Sequence, residues 1–202
     1  MFNNNPIQQL IDIMNYAKKL ESQHTNDIKV MPYNAASLST CIHNKPKSRY
    51  VLIKYIQENC LYFFTNYESN KAIELQNNSS AALLFYYPHL NKQVRVEGNI
   101  NLSSSEMSDK YFQSRPYGSQ AVATASMQSR ELISNEEFES TIHKIKQKHP
   151  TAPLPRPSYW GGYEFQPEYF EFWTEQNDRK HNRICYTYNL NNKKWTSKCL
   201  YP

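Results

Sequence analysis

The spacing of apolar residues changes after the first part of the chain, and each spacing predicts a different element. The first apolar residues recur every three to four positions, at Ile7, Leu10, Ile11, Met14 and Ala17. This period predicts an amphipathic helix whose apolar stripe packs against a core. Asn5 is suited to cap the helix, and Pro6 is favourable in a first turn.

The next hundred residues carry short runs rich in β-branched and aromatic residues, which predict strands. The runs are ASLSTCIH, RYVLIKYI, CLYFFTN, AALLFYY and KQVRVEGNINL. Breaks at 43–46, 57–59 and 88–91 predict turns. The segment SNKAIELQNN predicts a short helix capped by Ser69. Two capping boxes, from Ser103 to Glu106 and from Ser134 to Glu137, predict two more helices.

The C-terminal part begins with PTAPLPRPSYW, whose four prolines predict an extended connector. The strand-like runs WGGYEFQP, YFEFWTE and ICYTYNLNNKKWTSKCL follow. They are too few to bury a core alone, so we expect them to complete the earlier sheet. The prediction is a mainly β, single-domain fold, an antiparallel barrel with flanking helices. Residues 1–30 would form an N-terminal helical segment and residues 31–202 the main domain.

Composition excludes some classes of protein and favours others. The 202 residues are 39% hydrophobic, as in an ordinary globular protein, and the mildly basic net charge of +5 suits an anionic ligand. The basic residues are scattered among distant motifs, which disfavours nucleic-acid binding. The four cysteines and six histidines show no metal-ligand spacing, so no metal is expected. Neither a signal peptide nor a membrane-length apolar run is evident, which predicts a cytoplasmic protein.

Three potentially cationic residues near the C-terminus, Arg179, His181 and Arg183, are spaced two apart. On a strand this spacing puts all three side chains on one face. The face is either a solvated basic edge or one wall of a pocket for an anion, and the spacing alone favours the first interpretation.

Further basic residues stand beside hydroxyl groups elsewhere in the chain. Arg49 and Lys54 would lie at opposite ends of one strand. Other such residues surround a predicted helix start (Thr65, Ser69 and Lys71), flank a loop shaped by Pro116 and Gly118 (Tyr111, Arg115 and Ser119), or lie in SMQSR (Gln128 and Ser129). Helix N-termini bind phosphate through free N–H groups and the helix dipole. Each cluster by itself is a weak signal.

Taken together, the motifs carry a resemblance. RYVLIK, FFTNYESNKAIELQNN, AALLFYY, KQVRVEG, KYFQSRPYGSQ, WGGY, EFW and RKHNR follow one another in that order. From about Asn34 to Pro202 the chain resembles the pyridoxine (pyridoxamine) 5′-phosphate oxidase family. The resemblance implies an FMN-binding split β-barrel and a homodimer with FMN at the subunit interface.

The resemblance also implies roles for individual residues. FMN contacts would come from Arg49, Lys54, Phe64, Thr65, Lys71, Gln93, Gln128, Ser129, Trp173 and Arg183. Substrate contacts would come from Lys54, Tyr111, Arg115, Ser119, Arg179 and His181, the last two being the catalytic pair. The gap between flavin and substrate would then be lined by Arg179, His181 and Arg183. The resemblance thus favours the pocket wall over the solvated edge as the interpretation of their spacing.

The implied reaction is oxidation of pyridoxamine or pyridoxine 5′-phosphate to pyridoxal 5′-phosphate, with O2 as acceptor and H2O2 as product. Hydride would pass from the substrate C4′ to the flavin. The alternatives are a related phenazine-pathway oxidase, a flavin reductase, and a non-catalytic module that binds FMN or pyridoxal phosphate.

Two positions depart from the family pattern: Asn70 replaces a basic residue before Lys71, and Cys199 replaces an arginine near the C-terminus.

Overall fold

A computed structural model describes residues 5–23 and 31–202. Within these ranges the helices are α1 (Pro6–Gln23), α2 (Asn70–Asn77), α3 (Ser105–Ser114), α4 (Tyr117–Ala125) and α5 (Asn135–Lys148). The strands are β1 (Ala35–Ile42), β2 (Lys45–Leu52), β3 (Tyr55–Gln57), β4 (Cys60–Asn66), β5 (Ser80–Tyr87), β6 (Lys92–Leu102), β7 (Trp160–Thr174), β8 (Asn182–Asn189) and β9 (Lys194–Leu200). None of these helices is long and apolar enough to cross a membrane.

All strands of the described residues join one antiparallel sheet, as predicted. Its main path runs β2-β1-β5-β6-β7-β4-β3, and β8 and β9 extend from β7. The two ends of this path are consecutive in the chain, because β2 leads directly into β3. Residues 53 and 54 connect β2, at one end of the path, to β3, at the other. The backbone N–H of Ile53 donates to the Asn34 carbonyl, and the backbone N–H of Lys54 donates to the Tyr62 carbonyl. The sheet therefore curls into an open barrel.

The core lies inside this curl and is closed by the N-terminal helix. Ile7, Leu10 and Met14 of α1 are buried in the main apolar cluster, which confirms the predicted stripe. Asn5 caps the helix, since its Oδ1 accepts from the backbone N–H of Ile7 at 3.0 Å. A second, smaller cluster joins Phe112, Ala123, Leu154 and Trp160 where α3 and α4 meet β7.

Two strand predictions were wrong in their boundaries. RYVLIKYI was expected to be one strand, but it forms β2 and β3 with a break at 53–54, because the chain changes hydrogen-bonding partner there. WGGYEFQP and YFEFWTE were expected to be two strands, but they form the single strand β7. The pairing of β6 with β7 shifts register between Glu97 and Gly98, next to Pro167 of β7. This irregularity accommodates the proline, which has no N–H to donate to the neighbouring strand.

Two predictions near the helices also need correction. The N-cap of α3 is Ser104, whose Oγ accepts from the backbone N–H of Met107 at 3.1 Å, so the predicted box from Ser103 was displaced by one residue. The segment after Pro116 was expected to be a loop, but α4 begins at Tyr117 directly after that proline. Its alanine-rich sequence favours the helix. The predicted cap at Ser134 is confirmed, since its Oγ accepts from the N–H of Glu137 at 3.2 Å.

Candidate active site

A cleft of about 580 Å³ opens between β2, β4 and helices α3 and α4, and we name it cleft A. It brings together eight residues that the motifs singled out: Lys54, Phe64, Thr65, Lys71, Tyr111, Arg115, Ser119 and Gln128. They come from five separate segments of the chain. A volume of this size is typical of a small-molecule site.

Lys71 lies at the start of α2, and its ammonium group is hydrogen-bonded to neutral side chains. Its Nζ donates to Thr65 Oγ1 at 3.0 Å, to Ser69 Oγ at 3.1 Å and to Gln128 Oε1 at 3.4 Å. Burial, together with the charge of Arg49, lowers the pKa of Lys71 to about 8. Within the part of the chain that the structure describes, the ammonium group is therefore held in place without a direct counter-ion, in a position where an anion would stabilise its charge.

Lys54 and Arg115 form a second cationic pair in cleft A. Burial lowers the pKa of both groups, and the charge of Arg115 lowers that of Lys54 further. Arg115 stacks its guanidinium on the Trp160 ring at 4.8 Å, while its Nη1 is buried without a hydrogen-bond partner in the described structure. An unpaired buried donor is costly, so this arrangement fits an anion that would accept from it.

Aromatic side chains build the wall next to these cations. The Phe64 and Tyr111 rings stack with centroids 4.0 Å apart, and Trp160 stacks on Phe64 at 6.0 Å. The wall depends on the absence of a side chain at Gly162. A Cβ there would lie 2.7 Å from Phe64 Cε1 and 2.3 Å from Ser103 Oγ.

A second cleft of about 640 Å³ lies over β6, β7 and β8, and we name it cleft B. It collects four other predicted residues: Gln93, Trp173, His181 and Arg183. The rings of Trp173 and His181 are in contact, with centroids 4.6 Å apart. The Nδ1 of His181 accepts from the backbone N–H of Gln176 at 3.3 Å.

Arg183 in cleft B has a counter-ion, whereas Lys54 and Arg115 have none among the described residues. Its Nε donates to Glu171 Oε1 at 2.7 Å, and its Nη1 donates to the Tyr201 carbonyl at 3.0 Å. The hydrogen bond to Glu171 raises the pKa of Arg183. The guanidinium is consequently both charged and fixed in orientation.

The expectation that Arg179, His181 and Arg183 share a strand face was wrong. Strand β8 begins at Asn182, so only Arg183 lies in it. Asp178 and Arg179 have φ of 55° and 59°, a left-handed backbone that cannot continue a strand. Arg179 is exposed and lines a shallow depression with His181, beside cleft B.

Arg49 and Ser129 line neither cleft. Arg49 lies behind Lys71, where its guanidinium is hydrogen-bonded to Thr40 and Glu74. Ser129 is exposed in a turn with φ of 72°. The expectation that Arg49 and Lys54 mark the two ends of one strand was also wrong, because β2 ends at Leu52.

Both clefts open on the same outward face of the sheet. One row of paired residues crosses it from Tyr50 of cleft A through Ser37, Leu84 and Arg95 to Glu171. The neighbouring row, two residues along each strand, runs from Tyr86 through Gln93 and Trp173 to Arg183 of cleft B. Four interstrand spacings separate β2 from β7, roughly 19 Å in a flat sheet, so a single protomer keeps the clefts apart.

Several residues in or beside these clefts were not predicted from the motifs. Gln9 and Ile13 of α1 and Pro202 line cleft B, although the first thirty residues carry no part of the resemblance. The Oε1 of Gln9 is buried and unpaired within the described structure. Nothing in the helical pattern distinguishes Gln9 from other polar positions of α1. Glu171, by contrast, stands inside the EFW motif, so the motif is a signal that could have identified it together with Trp173.

Comparisons with known proteins identify the family of this chain. Residues 31–149 match the family model described as pyridoxamine 5′-phosphate oxidase, and residues 160–202 match the pyridoxine 5′-phosphate oxidase C-terminal dimerisation region. The second match contains Trp173, His181 and Arg183 of cleft B. Most of the chain is therefore covered by two models of one family.

Individual relatives support the same conclusion. A pyridoxine/pyridoxamine 5′-phosphate oxidase of Cytophaga hutchinsonii is 48% identical over 143 residues, covering 70% of this chain and 66% of that protein. One of Cyanothece is 37% identical over 199 residues, covering 98% and 89%. The crystal structure of PhzG from Burkholderia lata, in complex with tetrahydrophenazine-1-carboxylic acid, superposes with a TM-score of 0.88 at 26% identity over 99% of this chain and 94% of PhzG. The chain belongs to the pyridoxamine 5′-phosphate oxidase family and has its flavin-binding split-barrel fold.

Proposed function

We propose that the protein oxidises pyridoxamine 5′-phosphate or pyridoxine 5′-phosphate to pyridoxal 5′-phosphate, using bound FMN, with O2 as electron acceptor and H2O2 as product. The observation that carries the proposal is the pairing of Lys54 with Arg115 in cleft A. Neither forms a salt bridge with a carboxylate of the described residues, and Arg115 Nη1 is buried without a partner. Such a pair suits the dianionic phosphate of a small aromatic substrate.

The residues present fit FMN. Lys71, Thr65 and Gln128 offer a cation and neutral hydrogen-bonding groups at the start of α2 for the FMN phosphate, with Arg49 adding positive charge from behind. Phe64 supplies an aromatic surface. Gln93, Trp173 and Arg183 of cleft B would hold the ring, and Ser129 would be drawn in from its turn beside Gln128.

The substrate would bind through a different part of cleft A. Lys54, Tyr111, Arg115 and Ser119 would hold its phosphate. Ser119 lies in the first turn of α4, where backbone N–H groups have no acceptor within the helix. Stacking of Arg115 on Trp160 fixes the plane of the guanidinium and presents its free edge to the ligand.

When bound, FMN supplies the hydride acceptor and the route of electrons to O2. The protein's contribution is to orient the substrate and to exclude water from it. Arg179 would fix the pyridine ring and stabilise charge that develops on it. His181, whose Nδ1 already accepts a hydrogen bond, would present its other nitrogen to the reacting group and hold or exchange a proton there.

The two clefts would meet in a homodimer. The outward sheet face that carries both is unusually apolar at its surface: Tyr50, Leu52, Leu84 and Tyr86 are 62%, 39%, 39% and 59% exposed. An apolar surface of this kind is typical of a protein interface. A second copy packed on it would bring its own cleft B against cleft A, giving two composite sites per dimer.

A second candidate function is oxidation of a tetrahydrophenazine carboxylate, which the fold similarity to PhzG favours. A single carboxylate would need fewer cations than cleft A provides. Lys54, Lys71 and Arg115 together suit two phosphate groups, one from each ligand.

The decisive experiment uses the purified protein reconstituted with FMN. We expect flavin absorbance bands that bleach anaerobically on addition of pyridoxamine 5′-phosphate and return with O2. Bands that bleach only with a tetrahydrophenazine carboxylate would favour the second candidate. Bound flavin that no substrate of either class reduces would indicate a binding module and would overturn the proposal.

The composite site has its own test, by mixing two inactive variants. Arg115→Met removes a cation from cleft A, and Arg183→Met removes one from cleft B. If each site uses one cleft from each subunit, a refolded 1:1 mixture recovers about a quarter of the wild-type activity, because half of the dimers contain one intact site. A mixture as inactive as its parents would contradict the composite site.

A further inference from the structure

Three charged residues on neighbouring strands form a hydrogen-bonded network next to cleft B. Glu171 of β7 accepts from Arg183 Nε of β8 through Oε1 and from Arg95 Nη2 of β6 through Oε2, both at 2.7 Å. The OH of Tyr169 donates to Oε2 at 3.2 Å. Both carboxylate oxygens are thus used, and the side chain of Glu171 is only 8% exposed.

The register of the sheet creates this network. Arg95 pairs with Glu171 across β6 and β7, and Cys185 pairs with Glu171 across β7 and β8. Arg183 lies two residues before Cys185, so it reaches the carboxylate diagonally on the same face. Burial raises the pKa of Glu171, but the hydrogen bonds and charges of Arg183 and Arg95 outweigh it and lower the pKa overall. The carboxylate therefore stays ionised at neutral pH.

The donors of Arg183 divide into two sets. Nε is held by Glu171, and Nη1 is held by the Tyr201 carbonyl. Nη2 has no acceptor among the described residues, and Arg183 lines cleft B beside Gln93 and Trp173. A guanidinium is planar and rigid, so fixing two of its nitrogens fixes the direction of the third.

We propose that Glu171 is a positioning residue for cofactor binding: its carboxylate, shared with Arg95, holds Arg183 so that the free edge of the guanidinium meets the flavin ring. Arg95 binds the other carboxylate oxygen, so the negative charge of Glu171 is shared between two arginines. Arg183 is therefore held in place without its positive charge being fully neutralised. This proposal rests on the function proposed above, and it adds a residue that touches neither cofactor nor substrate.

The test is a double-mutant cycle of Glu171→Gln and Arg183→Lys, with FMN affinity of the apoprotein read from the quenching of FMN fluorescence. Glutamine keeps one acceptor oxygen but presents an NH2 group to one of the two arginines. Glu171→Gln should weaken FMN binding about tenfold in the wild-type background, equivalent to about 1.4 kcal/mol. In the Arg183→Lys background the same change should cost less than about twofold, because the fork that Glu171 orients is already absent.

The control is Glu97→Gln. Glu97 also pairs with Arg95, at 2.9 Å, and is 46% exposed, but it has no contact with Arg183. Its replacement should leave FMN affinity within about twofold of wild type. If Glu171→Gln does not fold, Glu171→Asp replaces it in the cycle, since aspartate keeps the charge but is one methylene too short to reach both arginines.

The possible outcomes of the double-mutant cycle distinguish the positioning role of Glu171 from the proposed oxidase function. Equal weakening by Glu171→Gln in both backgrounds, or no weakening in the wild-type background, would overturn the positioning role. If Glu171→Gln weakens FMN binding in the wild-type background but not in the Arg183→Lys background, the positioning role is supported. If the same protein oxidises no substrate, the proposed oxidase function is refuted. A wild-type chain that does not bind FMN at all would overturn both.

Discussion

Cleft A and cleft B treat their cationic residues in opposite ways. In cleft A, burial lowers the pKa of Lys54 and of Arg115, the charge of Arg115 lowers that of Lys54 further, and burial lowers the pKa of Lys71 to about 8. In cleft B, Arg183 is paired with a buried carboxylate, which raises its pKa. Cations without a carboxylate partner gain most from an incoming dianion, whereas a paired cation acts as a fixed donor for a neutral polar group. This difference supports our proposal that cleft A binds the phosphate groups and cleft B the flavin ring.

The largest effect is expected from breaking cleft A at its unpaired cation. Arg115→Met should lower kcat/KM for pyridoxine 5′-phosphate about a hundredfold or more, since a charge-assisted contact to phosphate is worth roughly 1.5–3 kcal/mol and the buried site cannot replace it with water. FMN affinity should change little. Steady-state kinetics and fluorescence titration measure the two effects, and Arg130→Met, at an exposed arginine, is the control. A loss confined to FMN binding would contradict the division of roles within cleft A.

The next effect concerns the wall of cleft A. Gly162→Ala should lower the free energy of unfolding by about 2–4 kcal/mol, because the new methyl group would meet Phe64 and Ser103 at distances that force the wall to move. Gly118→Ala is the matched control, since a Cβ there meets nothing within 4 Å. In the first turn of α4 it should be neutral or stabilise by up to about 1 kcal/mol. Denaturant unfolding monitored by circular dichroism compares them, and equal effects would refute the packing argument.

The lowered pKa of Lys71 predicts how the stability of the protein depends on pH. The sign of this dependence is opposite to that expected for a cation paired with a carboxylate. Its pKa is lowered from 10.5 in the unfolded chain to about 8 in the folded one. Between these values the unfolded state binds more protons, so the contribution of Lys71 to stability rises with pH from about 8 to 10.5. Below about pH 8 the buried charge costs its full amount. Lys71→Met should therefore stabilise the apoprotein at pH 7 by about 1–3 kcal/mol while weakening FMN binding. A less stable variant at pH 7 would contradict this account.

The same group should take up a proton when FMN binds. A phosphate next to Lys71 favours the charged form and raises its pKa, so at pH 8.5 binding should be accompanied by uptake of about half a proton or more. Calorimetric titration in two buffers of different ionisation enthalpy measures this uptake, which should be small at pH 6.5. Equal heats in the two buffers at pH 8.5 would show that Lys71 does not face the phosphate.

The smallest expected effect comes from Asn70, the first residue of α2. Asn70→Arg should tighten FMN binding by about 1–2 kcal/mol, because a charged donor replaces a neutral one next to Lys71 at a helix start. The gain should fall with added salt, since the residue is exposed. Fluorescence titration at two salt concentrations measures both features. An unchanged affinity would indicate that the phosphate lies away from this position.

The sequence by itself determined the local elements and the family. The apolar period of α1, the caps at Asn5 and Ser134 and the β-rich runs depend on neighbours a few residues apart, so their patterns were readable. The ordered motifs identified the split barrel. Boundaries failed where distant contacts decided them, as at 53–54, where the chain leaves β1 for β4, and at Pro167, where a register shift between β6 and β7 lets one strand continue through the proline.

Only the tertiary structure decided how the candidate site is organised. It separated the basic residues into two clefts, moved Arg179 out of the strand, and placed Arg49 behind Lys71 rather than in cleft A. It also paired Glu171 with Arg95, 76 residues earlier in the chain. The physical reason is that the pairing of charges depends on strand register and burial. Both are set by contacts between distant segments, which no local pattern encodes.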